Sequence, residues 1–279
     1  MKITDYRPYH NLGLGQIEEE KRQKLRQYFS LLAEVKDPMV SLVVPIYRAK
    51  ETLMAHIISL SEMSTIIPYE VIFVDNNADQ ASLSILKGVG AKVVKEGRQG
   101  ITYARQKGLE QAKGDIVCTM DPDSIYGEHY VDRMALPFFE NKNLVLCHTI
   151  SRNYAKDFQL PWSVKLRNFL KRWYFKAKMS AGFFNRITSV RAHGLSFRRD
   201  VLEGTGYPTD LRSVSGCDDG MLAVLLYAQG DFKYVSASVY TERPIGRAPG
   251  KPFPYCNERY FQMGGTAKQL STLNIKKAI

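Results

Sequence analysis

Ile116-Val117-Cys118-Thr119-Met120-Asp121-Pro122-Asp123 decides how this chain is read. An apolar run with strand character stops at two carboxylates one residue apart. Residues i and i+2 of a strand point to the same face, so both acids are expected to face one way at the strand's C-terminal end. Pro122 fixes its own φ and removes a backbone donor, which suits a strand that ends there. Two unpaired buried carboxylates repel each other and are costly to desolvate, so the pair is a poor core element. It suits a divalent cation lying between the protein and a diphosphate. Hard oxygen ligands select Mg2+ or Mn2+, with Asp121 and Asp123 as the metal-ligand candidates. The bland alternative is a solvated turn.

Upstream of this stretch, apolar runs alternate with helical patterns. Val40 to Ile46 reads as a buried strand, and Leu53, His56, Ile57 and Leu60 mark the helix after it. Val71 to Val74 is a second strand, stopping at Asp75-Asn76-Asn77. Leu83 and Leu86 give a short helix, Ala91 to Val94 a third strand, and Ile101, Ala104, Leu109 and Ala112 another helix. This rhythm predicts βαβ units, hence an α/β fold with a mostly parallel sheet. Ligands of such sheets bind beyond the carboxyl ends of the strands, where Asp75 and Asp121 both fall. Before the first strand, Leu25, Tyr28, Phe29 and Leu32 follow helical spacing, and Asp37-Pro38 ends that helix. Downstream, Leu144 to Cys147, Gly194 to Phe197 and Asp231 to Tyr240 read as strands, with an apolar helix over about 221–228. The tail from Arg243 carries four prolines and reads as a loop followed by a short helix.

The 279 residues carry a formal charge of +11 with an ordinary 44% apolar share. Such a basic balance fits nucleic acid, an anionic membrane surface or polyphosphorylated small ligands. Four widely spaced cysteines without a CxxC pair argue against structural zinc and a disulfide framework, and for a reduced, cytoplasmic setting. Met1 to Tyr6 has no apolar signal core. No apolar run approaches the roughly 18–20 residues a membrane span needs.

Three further constellations carry chemistry. Asp75 can accept a hydrogen bond from a pyrimidine N–H or a ribose hydroxyl, or can simply close an Asx-turn. Gly97-Arg98-Gln99-Gly100, with Arg105 a turn later, opens a helix whose N–H groups and arginines suit a diphosphate; a capping loop with solvated arginines is the alternative. Asp218-Asp219 precedes an apolar helix. One acid can cap it, and the other can act as a general base toward an acceptor hydroxyl. Two adjacent acids in a dry pocket cannot both be relaxed, so one is expected to bind its proton more tightly than usual.

Taken in order, these residues resemble a family 2 glycosyltransferase of the GT-A fold. Val43-Val44-Pro45-Ile46-Tyr47 with Glu51 resembles the opening strand, and Val74-Asp75-Asn76-Asn77 the nucleotide-base aspartate. Gly100, Ala104-Arg105 and Gly108-Leu109 resemble the helix before the metal strand, and Gly114 to Asp123 the metal motif. Gly194 to Arg199 and Gly206-Tyr207 resemble the acceptor-side segment. The matching residues run over about 40–230. The resemblance implies a mostly parallel sheet with helices on both faces, a Rossmann-like nucleotide-binding half and an acceptor-binding half. It also implies inverting, metal-dependent transfer from a nucleoside-diphosphate sugar (UDP-, GDP- or dTDP-linked) to a glycan or lipid-linked acceptor in cell-surface glycan synthesis. Pro45, Tyr47, Glu51, Asp75, Arg98, Arg105 and Asp121 would bind the donor. Asp123 and Asp121 would hold Mn2+ or Mg2+, and Asp219 or Asp218 would be the base. Two features depart from the family pattern. Asp218 stands where a glutamate is common, so which acid acts stays open, and no histidine follows His193. Arg243 or Lys251 is a candidate to reach the diphosphate instead. The expected division is an N-terminal helical extension (1–38), a glycosyltransferase domain (39–242, split into 39–125 for the nucleotide sugar and 126–242 for the acceptor) and a C-terminal loop and short helix over the site (243–279).

Pro161 to Met179 poses a separate question. Leu166, Phe169, Leu170, Trp173 and Ala177 form one stripe, with Lys165, Arg172 and Lys176 on one side and Arg167, Lys171 and Lys178 on the other. This suits a helix lying in an anionic membrane interface at the inner face of the plasma membrane. The alternative, favoured on sequence, is an amphipathic helix packed on the sheet. Competing functions are a nucleotide or nucleic-acid binding protein without transfer activity, and a metal-dependent nucleotidyltransferase. No nucleic-acid-binding motif appears, and the first strand lacks the glycine-rich phosphate loop of the second class.

Overall fold

The computed structural model describes residues 2–154, 161–179, 190, 192–209, 218–227 and 229–242. Its centre is a seven-stranded sheet. Strands β1 (Val40–Ile46), β2 (Tyr69–Asp75), β3 (Val93–Lys95) and β4 (Ile116–Thr119) are parallel, ordered β3-β2-β1-β4. Beyond β4 lies β8 (Leu195–Arg198), antiparallel to it, then β6 (Leu144–His148) and β9 (Asp231–Tyr234), parallel to each other. The chain leaves β1 on one side through β2 and returns on the other as β4. The topological switch point, where open α/β sheets take ligands, is therefore at the carboxyl ends of β1 and β4.

Alternation along the strands divides the core. Leu42 and Val44 of β1, Val71 and Phe73 of β2, and Ile116 and Cys118 of β4 face one layer. Val43, Ile72, Val74 and Val117 face the other. The first layer holds α2 (Leu53–Ser61), α3 (Gln80–Gly88) and α5 (Tyr130–Glu140), and α1 (Glu19–Glu34) joins it through Leu25 and Phe29. Phe29 stacks at 5.9 Å on Phe73, and the Tyr28 hydroxyl meets that of Tyr69 at 3.0 Å, so α1 packs on the domain. The second layer holds α4 (Ile101–Gln111) and α7 (Asp218–Tyr227). Helices thus cover both faces. Gly108 lets α4 approach β1: a Cβ there would stand 2.1 Å from a Val43 methyl.

Pro45 is tolerated in a central strand for a positional reason. Val43 C=O accepts Met120 N–H, so by the period of two the missing N–H of Pro45 also faces β4. The paired β1–β4 register stops at Val43–Thr119, and no ladder bond is lost.

A second, three-stranded sheet joins β5 (Ser124–Tyr126), β10 (Val239–Glu242) and β7 (Arg152–Tyr154). It corrects one expectation. Asp231 to Tyr240 is not one strand; β9 and β10 belong to different sheets. Helix α5 and strands β5 and β7 were not anticipated.

Helix α6 (Trp162–Met179) also departs from expectation. It docks by Val164, which is buried, by Asn168, and by Lys171. Asn168 Nδ2 donates to Asn153 C=O at 2.9 Å and its Oδ1 accepts Asn153 N–H at 2.9 Å. Lys171 Nζ donates to Ser151 C=O. The apolar stripe faces away and is exposed, so the packing favoured on sequence is not the one adopted. The tail, with Arg243 and Lys251, lies outside the described residues, as do Cys217 and the side chain of Asp218.

Candidate active site

Chain direction alone gathers the acids. Helices α4 and α7 precede parallel strands, so their N-termini lie at the carboxyl ends of the sheet. Asp75 closes β2 in register with Ile46. Asp121 follows β4 on the other side of β1, two strand spacings or about 10 Å across the sheet. Strand β8 is antiparallel, so the segment leading into it, His193-Gly194, arrives beside Thr119.

The two aspartates of the motif do not sit on a strand. β4 ends at Thr119, and Asp121 C=O accepts Ser124 N–H to form a turn. Same-face alternation therefore does not orient them. Asp121 is half-buried and takes Arg105 Nη2 on its Oδ1 at 3.1 Å, while Asp123 is exposed, with Ser124 Oγ donating to its Oδ1 at 3.3 Å. The turn is held from below by Tyr126, which is fully buried. Its hydroxyl accepts Asp121 N–H at 2.9 Å and donates to His193 C=O at 3.0 Å. Burial, reinforced by the Asp121 charge, pushes the Tyr126 pKa up, so it remains a neutral O–H at physiological pH. His56 of α2 packs edge-on against Tyr126 at 5.6 Å and donates from Nδ1 to Ser124 C=O at 2.9 Å. Burial pushes its pKa down to about 4, against the opposing pulls of Ser124 and Asp121; the imidazole is neutral.

Arg105 is the centre of the site. Its side chain is 4% exposed. Burial works to lower its pKa, but the fields of Tyr207, Asp121 and Asp219, with the Asp121 hydrogen bond, outweigh burial and hold it charged. Tyr207 is itself buried, and its pKa rises through burial first, with Asp219 and Asp121 adding and Arg105 opposing. Arg105 thus holds Asp121 by a direct ion pair and feels the fields of Tyr207 and of Asp219 at the start of α7. Asp219 is 8% exposed and accepts Gly220 N–H on Oδ1 at 2.7 Å. Asp218 is the first residue of α7.

The remaining candidates form the rim. Asp75 is half-buried, and its Oδ1 accepts Ala78 N–H at 2.8 Å, an Asx-type closure. Pro45 is buried in β1, Tyr47 is 40% exposed with Arg48 over its ring, and Glu51 is exposed. Arg98 is tied to Glu96 by two hydrogen bonds, at 2.9 and 3.0 Å, and stacks over Tyr103. Arg98 first of all, through those bonds, pulls Glu96 down to about 2. Arg98 thus has Glu96 as an internal partner while its side chain stays 61% exposed at the rim. Asn76, given no role of its own by the sequence, clamps the next loop with its buried amide. Nδ2 donates to Arg98 C=O and Oδ1 accepts Gly100 N–H. Gly100 sits at φ 145°, a conformation open to glycine, and it sets the start of α4. Tyr126 carried no signal beyond its nearness to the aspartates; Tyr207 was visible only in the Gly206-Tyr207 pair.

Among the described residues no three His, Cys, Asp or Glu side chains cluster as a metal cage. Two carboxylates in a turn still fit Mg2+ or Mn2+, which are usually bound by one or two carboxylates together with substrate phosphates.

Residues 41–205, from β1 through β8, match the family described as Glycosyl transferase family 2. This chain belongs to that family. It is 32% identical over 113 residues to YfnE, an uncharacterised glycosyltransferase of Bacillus subtilis, a match that covers 38% of this chain and 29% of the relative. It is 28% identical over 127 residues to EpsH, a putative glycosyltransferase of the same organism, covering 44% and 35%. The chain thus spans about a third of the length of these curated relatives. The crystal structure of S. aureus TarS residues 1–349 with UDP-GlcNAc superposes with a TM-score of 0.55 at 16% identity, over 75% of this chain and 59% of that one. GalNAc-T7 with UDP, GalNAc and Mn2+ superposes at 0.53 and 16%, over 78% and 46%. The shared architecture is the GT-A fold, as the family resemblance implied.

Proposed function

We propose that this family 2 member transfers a sugar, with inversion, from a nucleoside-diphosphate sugar to an acceptor hydroxyl. The observation that carries this reading is the cluster of Arg105, Asp121, Tyr207 and Asp219 at the switch point. It joins a donor-side acid to a buried acceptor-side acid through one charged group. Asp75 receives a hydrogen bond from the base or ribose. Asp121 and Asp123 hold the cation, which when bound offsets the charge of the departing diphosphate. Arg105 fixes Asp121 in place through its ion pair. Asp219 takes the acceptor's proton on a carboxylate oxygen as the acceptor oxygen bonds to the anomeric carbon. The bond from that carbon to the diphosphate breaks on the opposite face, and its electron pair leaves with the phosphate. In this reading 39–125 is the donor half and 126–242 the acceptor half. UDP and UDP-GlcNAc in the TarS structures, and UDP with Mn2+ in GalNAc-T7, support a nucleotide-sugar donor and a divalent ion. The buried free thiols Cys118 and Cys147 support a reducing, cytoplasmic setting, and the reading extends to an enzyme of polysaccharide or glycolipid assembly.

Thermal unfolding with UDP-, GDP- and dTDP-sugars, with and without Mn2+, tests this. A hundredfold excess over Kd stabilises the folded state by about 2.7 kcal/mol. One nucleotide class is expected to do so in Mn2+, and Asp123→Ala to remove the Mn2+-dependent part. If no nucleotide sugar raises Tm, the reading fails.

A further inference from the structure

Helix α6 is mounted with its polar face inward. At about 100° per residue, Val164, Asn168 and Lys171 share one side, and all three touch the domain. About 180° away lie Trp162 (76% exposed), Phe169 (67%) and Trp173 (67%), with Leu166 and Leu170 between them. Exposed large apolar side chains in one continuous row are unusual on a protein surface and mark a binding face. The exposed cations Lys165 and Arg167 stand on its two flanks. Residues 158–199 carry ten Lys and Arg and no acid. Among the described residues no helix is long and apolar enough to cross a membrane, so any lipid contact of α6 lies in the interfacial plane.

We propose that α6 docks this protein on an anionic bilayer. Its aromatic row enters the headgroup–acyl boundary, where tryptophan's apolar body and polar N–H are both satisfied. The flanking lysine and arginine stems lie along the row and bring their charges to acidic headgroups. Charge complementarity selects this occupant over a second copy of the chain, because two such faces would bring like charges together. The helix is also coupled to the candidate site. Lys171 Nζ donates to Ser151 C=O, Ser151 N–H donates to His193 Nε2, and Tyr126 O–H joins His193 C=O to Asp121 N–H. Docking would hold the acceptor side of the site at the membrane. The docking stands on the helix alone and does not depend on the transfer reading.

Both tryptophans of the chain, Trp162 and Trp173, lie on this face, so intrinsic fluorescence reports it without a label. The full chain is titrated with vesicles of phosphatidylcholine alone and of phosphatidylcholine mixed with phosphatidylglycerol. The anionic vesicles should shift the emission to the blue, brominated acyl chains should quench it, and neutral vesicles should do little. Lys165→Gln and Arg167→Gln should each weaken partition about fivefold, the effect of the ~1 kcal/mol a cation contributes near such a surface. Phe169→Ser with Leu170→Ser should weaken it further while both reporters remain. Equal response to neutral and anionic vesicles, or none to either, overturns the proposal. So does an emission shift that follows protein concentration without lipid, with a dimer in sedimentation that Phe169→Ser and Leu170→Ser abolish; the face would then join two copies.

Discussion

Helices α4 and α6 invert ordinary burial in opposite directions. α4 takes a charged arginine, Arg105, to 4% exposure while leaving Ile101 39% exposed. α6 buries the amide of Asn168 and leaves two tryptophans and a phenylalanine in the open. In both helices the side chain on the unexpected side is answered by specific partners. Arg105 has Asp121 and the fields of Asp219 and Tyr207; Asn168 has both backbone groups of Asn153. A buried charge persists only when it is paired, so inversion inside the fold organises a site. Inversion at the surface presents one.

That contrast can be broken by mutation, because the α4 inversion must be expensive to disturb and the α6 inversion cheap. Arg105→Leu strands Asp121 and Asp219 without their counter-charge, and should destabilise the fold by about 3–4 kcal/mol, the scale of breaking a buried pair. Urea unfolding measures it, and a loss under about 1 kcal/mol would mean the pair behaves as a surface one. Next comes pH. His56, beneath the aspartate turn, is pushed from the ordinary 6.5 down to about 4. The unfolded chain therefore binds the proton more readily, and stability is lost as pH falls from about 6.5 toward 4. The loss from this group should reach roughly 2 kcal/mol by about pH 5, and His56→Gln should flatten that slope. Tyr126→Phe leaves Asp121 N–H and His193 C=O without their shared partner, an expected cost of about 1–3 kcal/mol; Mn2+-dependent donor binding should weaken with it. Smallest of all, Phe169→Ser and Leu170→Ser on α6 should change stability by less than about 0.5 kcal/mol each, although they remove large apolar side chains.

Legibility in the sequence followed the same division. Strands β1, β2 and β4 could be read to within about two residues, because each is a buried run between helices of clear period; β3, an edge strand with Val93 and Lys95 exposed, begins two residues later than its apolar run suggested. Asp75, Asp121 and Asp219 could be found because strand ends and helix starts of a parallel sheet converge. What could not be read was orientation. Periodicity identified α6 and its stripe but not which side faces the domain, since that is set by Asn168 meeting the open backbone of Asn153. The aspartate pair was legible as a motif but not as geometry, because the turn is fixed by Tyr126 and Ser124. Arg98 and Arg105 looked alike in sequence; burial separates them, Arg98 pairing with Glu96 at the exposed rim and Arg105 with Asp121 inside.

In the proposed reading Arg105 joins a donor-binding Asp121 to a proton-accepting Asp219. Asp219→Asn keeps the size and most hydrogen bonds of that side chain and removes its basicity. Sugar transfer and nucleotide-sugar affinity, measured on this one variant, separate chemistry from binding. The expected result is a rate lower by about 10²–10⁴-fold, the range of general acid–base assistance, with donor affinity nearly unchanged. Transfer at the wild-type rate, with the loss appearing instead in Asp218→Asn, would contradict it.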